Sequence, residues 1–305
     1  MSVSRRRFLR LASAACLIAP AAAAHAFKWQ GTALGAQAQI ILDHPDARNI
    51  TSRALAEIDR LESIFSLYRQ GSEIVRLNQF GALQAPSFEL LECLSIARQV
   101  HQITEGRFDP TVQQLWAALA ESQYNAGDPQ SIHAARQAIG FDRMRIDNRQ
   151  ITLAQGQQLT LNGIAQGYIA DRVANLMRRL GVSDVLIDTG EIVALGAPTG
   201  QAAWPVTIAG TTRPRALTGR ALATSAPYGT KLDQAGSIGH IIDPRSDTPV
   251  KSNITQVSVT ANSAALADAL STGLCLAEND TQARHLLRQL KDARLENVQT
   301  RGETT

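Results

Sequence analysis

The stretch Leu159-Thr160-Leu161-Asn162-Gly163-Ile164-Ala165-Gln166-Gly167-Tyr168-Ile169-Ala170-Asp171 reads as a strand that passes through a glycine-flanked turn into a helix. Leu159 and Leu161 alternate with polar neighbours, the period-2 pattern of a half-buried strand. From Ile169 onward, Val173, Leu176, Met177 and Leu180 fall at helical spacing, and Gly181 supplies a stop. Gly163 and Gly167 lack a Cβ, which lets the backbone come close to a bound group, and the N–H groups of a helix start suit an anion. A strand–glycine–helix turn also serves as a plain connection, so its chemistry depends on the segments that accompany it.

Upstream, Phe27 to Leu42 alternates loosely as an opening strand pair. Asn49 to Tyr68 is an amphipathic helix with Ile50, Ala54, Ile58, Leu61, Phe65 and Tyr68 along one side. Ser72 to Asn78 is a short second helix, and Ser87 caps a third that ends near Gly106. Asp109-Pro110 and Asp128-Pro129 each read as a helix start, an acceptor side chain before a residue that needs no N–H partner. Downstream, strands are expected at Val185–Asp188, Trp204–Ile208, Ala221–Ser225 and Ile254–Ala261. A helix is expected from Ala264 to Leu276, then a last helix to about Leu295 and a frayed polar tail. No repeat or linker divides this pattern, which is that of one α+β unit.

The 305 residues allow an ample core. Ser4-Arg5-Arg6-Arg7-Phe8-Leu9-Arg10 has the twin-arginine export pattern, followed by a mild apolar run and the small-residue site Ala24-His25-Ala26. The expected organisation is a signal peptide at 1–26, a functional domain at 27–298 and a polar tail at 299–305, with the mature chain periplasmic and without a membrane span. Removing the leader's four arginines leaves 26 basic residues against 27 acidic ones, so no basic footprint for nucleic acid remains. Outside the leader only Cys93 and Cys275 are left, both in apolar helical patterns and neither in a CxxC, so two buried free thiols and no zinc site are expected.

Asp268 and Thr272 stand four apart in a helical pattern, carboxylate and hydroxyl on one face. Both are hard oxygen ligands of the kind a Mg²⁺ ion takes; the same spacing is also that of an ordinary helix side-chain hydrogen bond. His240 and Asp243 flank two isoleucines, and a histidine there is either a proton carrier or a structural hydrogen-bonding residue. Tyr68 is a core or rim aromatic, or a platform for a planar ring.

The order of these segments resembles the ApbE family, the FAD:protein FMN transferases. The resemblance rests on Tyr68, Ser72-Glu73-Ile74 with Leu77-Asn78, Gly106 to Thr111, Asn162 to Tyr168 with Asp171, His240 to Pro244 and Ala267 to Thr272, and it spans the mature chain. It implies a T-fold-like α+β architecture, mixed sheets packed with helices and a flavin cleft between two halves. It also implies cleavage of FAD at its pyrophosphate, attachment of FMN by a phosphoester to a Thr or Ser of a partner flavoprotein at an Asp-Gly-x-Ser/Ala-Thr type site, and release of AMP. Carried over, the Mg²⁺ ligands are the main-chain oxygen of Ala165 with Asp268 and Thr272, and Ser271 as a further contributor. The flavin pocket takes Gln30, Tyr68, Arg107, Phe108, Asp109, Asn162, Tyr168 and Ile242. His240 serves as base or nucleophile beside the phosphate, oriented by Asp243. The leader makes the chain resemble the exported, NosX-type branch linked to nitrous oxide respiration.

Two departures from the family pattern stand out. Gln166 replaces the usual Lys, and Thr189-Gly190-Glu191 replaces a Gly-Gly-Asp. The residues leave open a periplasmic FAD pyrophosphatase, with water in place of the acceptor hydroxyl, and a non-catalytic flavin-binding accessory protein.

Overall fold

A computed structural model describes residues 17–18, 26–33, 35–122, 129–230, 239–246 and 252–301. Apart from Leu17, Ile18 and Ala26, the expected leader lies outside the described residues, as does Asp128.

Seven antiparallel strands form the central sheet. They are β2 (Phe27–Ala33), β3 (Ala36–Leu42), β7 (Val185–Asp188), β8 (Ile192–Leu195), β11 (Arg220–Ser225), β12 (Ile254–Ala261) and β13 (Arg294–Thr300), in spatial order β13-β12-β11-β8-β7-β3-β2. In the middle of this sheet both faces are covered, which is why Ile40-Ile41-Leu42 of β3 and Val185-Leu186-Ile187 of β7 read as continuous apolar runs. Ile40 and Leu42, opposite Ile187 and Val185, face one side, whereas Ile41, opposite Leu186, faces the other.

The first face packs on α1 (Ala47–Phe65), α6 (Ala165–Arg179) and α7 (Ala264–Leu274), forming the main core with α3 (Phe88–Ile103) behind α7. The second face is closed by β9 (Trp204–Thr207) and β10 (Arg215–Leu217), whose Trp204, Val206 and Leu217 bury Ile41, Leu186, Ile192 and Leu222. The Trp204 indole N–H donates to Leu195 O at 2.9 Å, so the ring is buried without stranding its polar atom. The two-residue strand β1 (Leu17–Ile18) pairs with the free side of β9. A small sheet of β4 (Ala82–Gln84), β6 (Gln150–Thr152) and β5 (Arg145–Ile146) completes the unit, with α2 (Glu73–Phe80), α4 (Gln113–Ser122) and α5 (Pro129–Gln137) around it.

Two helices are locked end to end by each other's acids. Asp171 of α6 accepts from the first N–H groups of α7, Ala264 at 2.8 Å and Ala265 at 3.0 Å, and from the Ser263 hydroxyl. In return Asp268 of α7 accepts from Gly167 N at 3.1 Å, in the first turn of α6. Each carboxylate satisfies donors a helix start leaves open. A Cβ on Gly167 would collide with the Ala264 carbonyl, so this glycine serves a backbone–backbone approach and not a ligand.

Several sequence expectations need correction. Leu159 to Leu161 joins no sheet; it is bridged on one side to the 110–112 segment, Thr160 N donating to Pro110 O (2.8 Å), and on the other the Asn78 side chain accepts from Leu159 N (2.7 Å) and donates to Leu159 O (2.8 Å). Helix α1 stops at Phe65 because Ser66 turns to extended backbone, so Tyr68 falls outside it. Asp109 does not cap a helix: Oδ1 accepts from Thr111 N and Oγ1, Oδ2 accepts from Phe141 N, and α4 starts only at Gln113. The last helix, α8 (Asp280–Leu287), ends well before Leu295, and Arg294 to Thr300 forms β13 on the edge of the sheet. The proposed domain end at 298 therefore cuts through a strand whose half-buried polar residues masked it as tail.

Candidate active site

One cleft opens at the meeting point of α4, the glycine turn, the end of β11 and α7, and encloses about 950 Å³ including its open mouth. A second cavity, of Leu67, Tyr68, Val75, Asn78 and Gln79, adjoins it; Gln113, Trp116 and Asn162 line both. The two share a wall, and the second adds the ring of Tyr68 beside the carboxylates and hydroxyls of the first.

At the polar end the glycine turn lies directly over α7. A Cβ on Gly163 would sit 3.0 Å from both Oγ1 and Cγ2 of Thr272, so only glycine leaves this approach open. Asp268 and Thr272 both line the cleft. Ser225 joins them from β11, its hydroxyl 2.7 Å from that of Ser271 and 3.2 Å from that of Thr272. Ala165 and Ser271 are buried behind the lining residues. Among the described residues no three His, Cys, Asp or Glu side chains gather as a metal site. One carboxylate with hydroxyl and carbonyl oxygens is instead a donor set that fits a hard cation whose remaining positions go to phosphate and water.

Burial raises the carboxyl of Asp268 and raises Glu191 further, the second helped by the charge of Asp268. Glu191 Oε2 accepts from Thr224 N at 3.2 Å. Asp188, just behind, is pushed up to about 6 by burial against one bond from Gly190 N. Beside these acids, Gln166 is only 7 % exposed and its amide nitrogen has no hydrogen-bond partner. Its main-chain carbonyl accepts from Thr189 Oγ1, which ties the altered Thr-Gly-Glu loop to the altered glycine turn.

His240 lines the cleft and burial lowers its pKa, so it stands neutral at pH 7. Its Nδ1 lies 3.3 Å from Thr230 O and 3.4 Å from Thr230 N. Asp243 does not orient it: the carboxylate is taken by Arg245, through the main-chain N and both Nε and Nη2. Arg107, Phe108 and Asp109 form the opposite wall with Asn162 and Ile242. The buried Arg107 guanidinium donates to Thr104 O and Glu105, leaving Nε unpartnered.

Of the remaining expected flavin residues, one lies at the adjoining cavity and two line neither. Tyr68 is 51 % exposed at the second cavity, an available ring face. Tyr168 is buried, edge-on to Phe65 with its hydroxyl bonded to Glu92, and does not line the cleft. Gln30 lies on β2, bonded to Gln39, and does not line it either. Sequence reasoning missed Gln113, Trp116 and Ser225; Trp116 carried the one available signal, an aromatic close behind Asp109-Pro110. Cys93 and Cys275 are free and buried, as expected.

The fold and cleft define a helix-backed antiparallel sheet that presents an oxygen-rich pocket beside an aromatic one. The ApbE family model matches residues 32–295, and the chain belongs to the ApbE family. It is 27% identical over 264 residues to a FAD:protein FMN transferase of Haemophilus influenzae, covering 77% of this chain and 76% of that one. It is 28% identical over 238 residues to another of Vibrio cholerae, covering 72% and 71%. Among solved structures, the apo flavinyl transferase ApbE of Pseudomonas stutzeri superposes with a TM-score of 0.76 at 24% identity, over 88% of this chain and 92% of that one, and shares the fold.

Proposed function

We propose that this chain is a FAD:protein FMN transferase, dependent on Mg²⁺, that attaches FMN to a Thr or Ser hydroxyl of a partner flavoprotein and releases AMP. The observation that carries this reading is the convergence of Gly163, Asp268 and Thr272 with His240 in one cleft that adjoins the Tyr68 cavity.

Tyr68 offers a ring face to the planar end of the dinucleotide, and Asn162 stands where the two cavities join. Asp268 and Thr272, with the main-chain oxygen of Ala165, would hold Mg²⁺, which supplies charge neutralisation on the diphosphate when bound. A threonine hydroxyl is a weak nucleophile, and a neutral His240 can take its proton. The hydroxyl oxygen bonds to the FMN phosphorus, the bridging P–O bond breaks, and AMP leaves with the electron pair. Arg245 neutralises Asp243, which leaves His240 the base of the site.

The Ser4–Arg10 leader supports export by the twin-arginine route to the periplasm, and with it the branch that serves nitrous oxide respiration. Cleavage after Ala26 would strip β1 from β9 but leave the seven-stranded sheet whole. Among the described residues no helix is long and apolar enough to cross a membrane.

The test uses the chain from Phe27, FAD, Mg²⁺ and an acceptor domain carrying an Asp-Gly-x-Ser/Ala-Thr type site. A fluorescent acceptor band with equimolar AMP is expected. FMN and AMP without a band would instead make the protein a pyrophosphatase, and neither product would make it a flavin carrier.

A further inference from the structure

The hydroxyls of Ser225, Ser271 and Thr272 carry a direction that their distances alone do not state. A hydroxyl has one hydrogen to donate and two lone pairs to accept with. Ser271 donates its hydrogen to the Asp268 carbonyl at 3.0 Å, an acceptor that can give nothing back. With that hydrogen placed on the Asp268 carbonyl, the 2.7 Å contact between Ser271 and Ser225 takes its hydrogen from Ser225. With its hydrogen spent, Ser225 can only accept at its 3.2 Å contact with Thr272, which makes Thr272 the donor there. The chain runs Thr272 to Ser225 to Ser271 to the Asp268 carbonyl.

The consequence falls on Thr272. Its hydrogen is drawn toward β11, and its lone pairs are left for the cleft, where Gly163 packs close against the Thr272 side chain. A hard cation needs oxygen lone pairs; a hydroxyl hydrogen turned toward it would repel it. Ser225 is itself held rigidly, paired in register with Val257 of β12 and with its carbonyl accepting from the Cys275 thiol at 3.4 Å. Ser271 is fully buried and absent from the cleft lining.

We propose that Ser225 is a positioning residue that fixes Thr272 as an acceptor toward a divalent cation, and that Ser271 terminates this relay and is not itself a ligand. The proposal rests on the metal-dependent reading above and reassigns one residue of its expected ligand set.

The test is Mn²⁺ binding, followed by electron paramagnetic resonance on the FAD-free chain from Phe27, which reads the site without turnover. Ser225→Ala should weaken Mn²⁺ binding about tenfold, the scale of losing a group that orients a ligand. Ser225→Thr keeps the hydroxyl and should restore binding, which separates orientation from folding. The double variant Ser225→Ala/Ser271→Ala should bind no more weakly than Ser225→Ala, because Ser271 acts only through Ser225. Wild-type affinity in Ser225→Ala while Thr272→Ala loses binding would overturn the relay and leave the metal reading standing. Additive losses in the double variant would make Ser271 a ligand and overturn its reassignment. Unchanged binding in Thr272→Ala would overturn the metal assignment and the relay with it.

Discussion

The two adjoining cavities are built from opposite kinds of order. The polar one gathers side chains from α6, α7, β11 and the loop after β7, buried or half-buried, with its carboxylates held by partners from distant segments, as Asp268 is by Gly167 N and Glu191 by Thr224 N. The aromatic one is made largely by neighbours in sequence, Leu67 to Gln79, with Tyr68 half exposed at its mouth. Charge chemistry demands fixed oxygens in a dry setting, whereas a ring platform needs only a face and tolerates water. Reaction should therefore depend on the first region and affinity on the second.

Removing Asp268 gives the sharpest test of this division. Asp268→Ala should lower flavinylation of the acceptor by about a thousandfold, since charge stabilisation by a cation accounts for several kcal/mol of barrier. In-gel flavin fluorescence over a time course measures it, and unchanged turnover would remove the oxygen-rich cavity from the chemistry.

His240→Ala should slow transfer by about a hundredfold, the low end of general-base catalysis, while FAD binding by fluorescence titration stays near wild type. Equal losses in rate and in binding would identify a structural histidine and erase the contrast between the regions. Tyr68→Ala is the mirror experiment. Losing one stacking face should weaken FAD binding by about tenfold, with the rate at saturating FAD little changed.

The smallest effect concerns Asp188, behind the polar cavity. Its carboxyl is raised to about 6 by burial, so the folded chain holds that proton more tightly than the unfolded one. Its contribution to stability is thus present at low pH and is lost as pH rises from about 4 to about 6. Asp188→Asn keeps an acceptor for Gly190 N and removes the titration. Its melting temperature should gain on wild type across that window, by about 5 °C above it, and an equal difference at all pH values would deny the shift.

How much of this was readable in advance follows the same divide. The strands Val185–Asp188 and Ile254–Ala261 and the Ser87 cap, which accepts from Leu90 N, come from local periodicity and side-chain chemistry, and they stand where expected. Spacing alone placed Asp268 and Thr272 on one helix face. The place of Tyr168 beside the glycine turn suggests ligand contact, whereas the pitch of α6 turns its side chain toward Phe65 and Glu92. Strand β13 was missed because it is an edge strand, half-buried along nearly its whole length, whose two apolar residues, Leu295 and Val298, stand three apart and give no period-2 pattern.

By itself, the order of residues determined the helices, the core strands, the glycine turn and the family to which the chain belongs, because each is set by local pattern. Only the tertiary structure decided that Gly163 faces Thr272, that Gly167 faces Ala264, that Asp243 answers to Arg245 and that Ser225 reaches the hydroxyls of α7. Those pairings join residues from about 45 to about 110 positions apart or depend on which way a turn points, and neither follows from local preference.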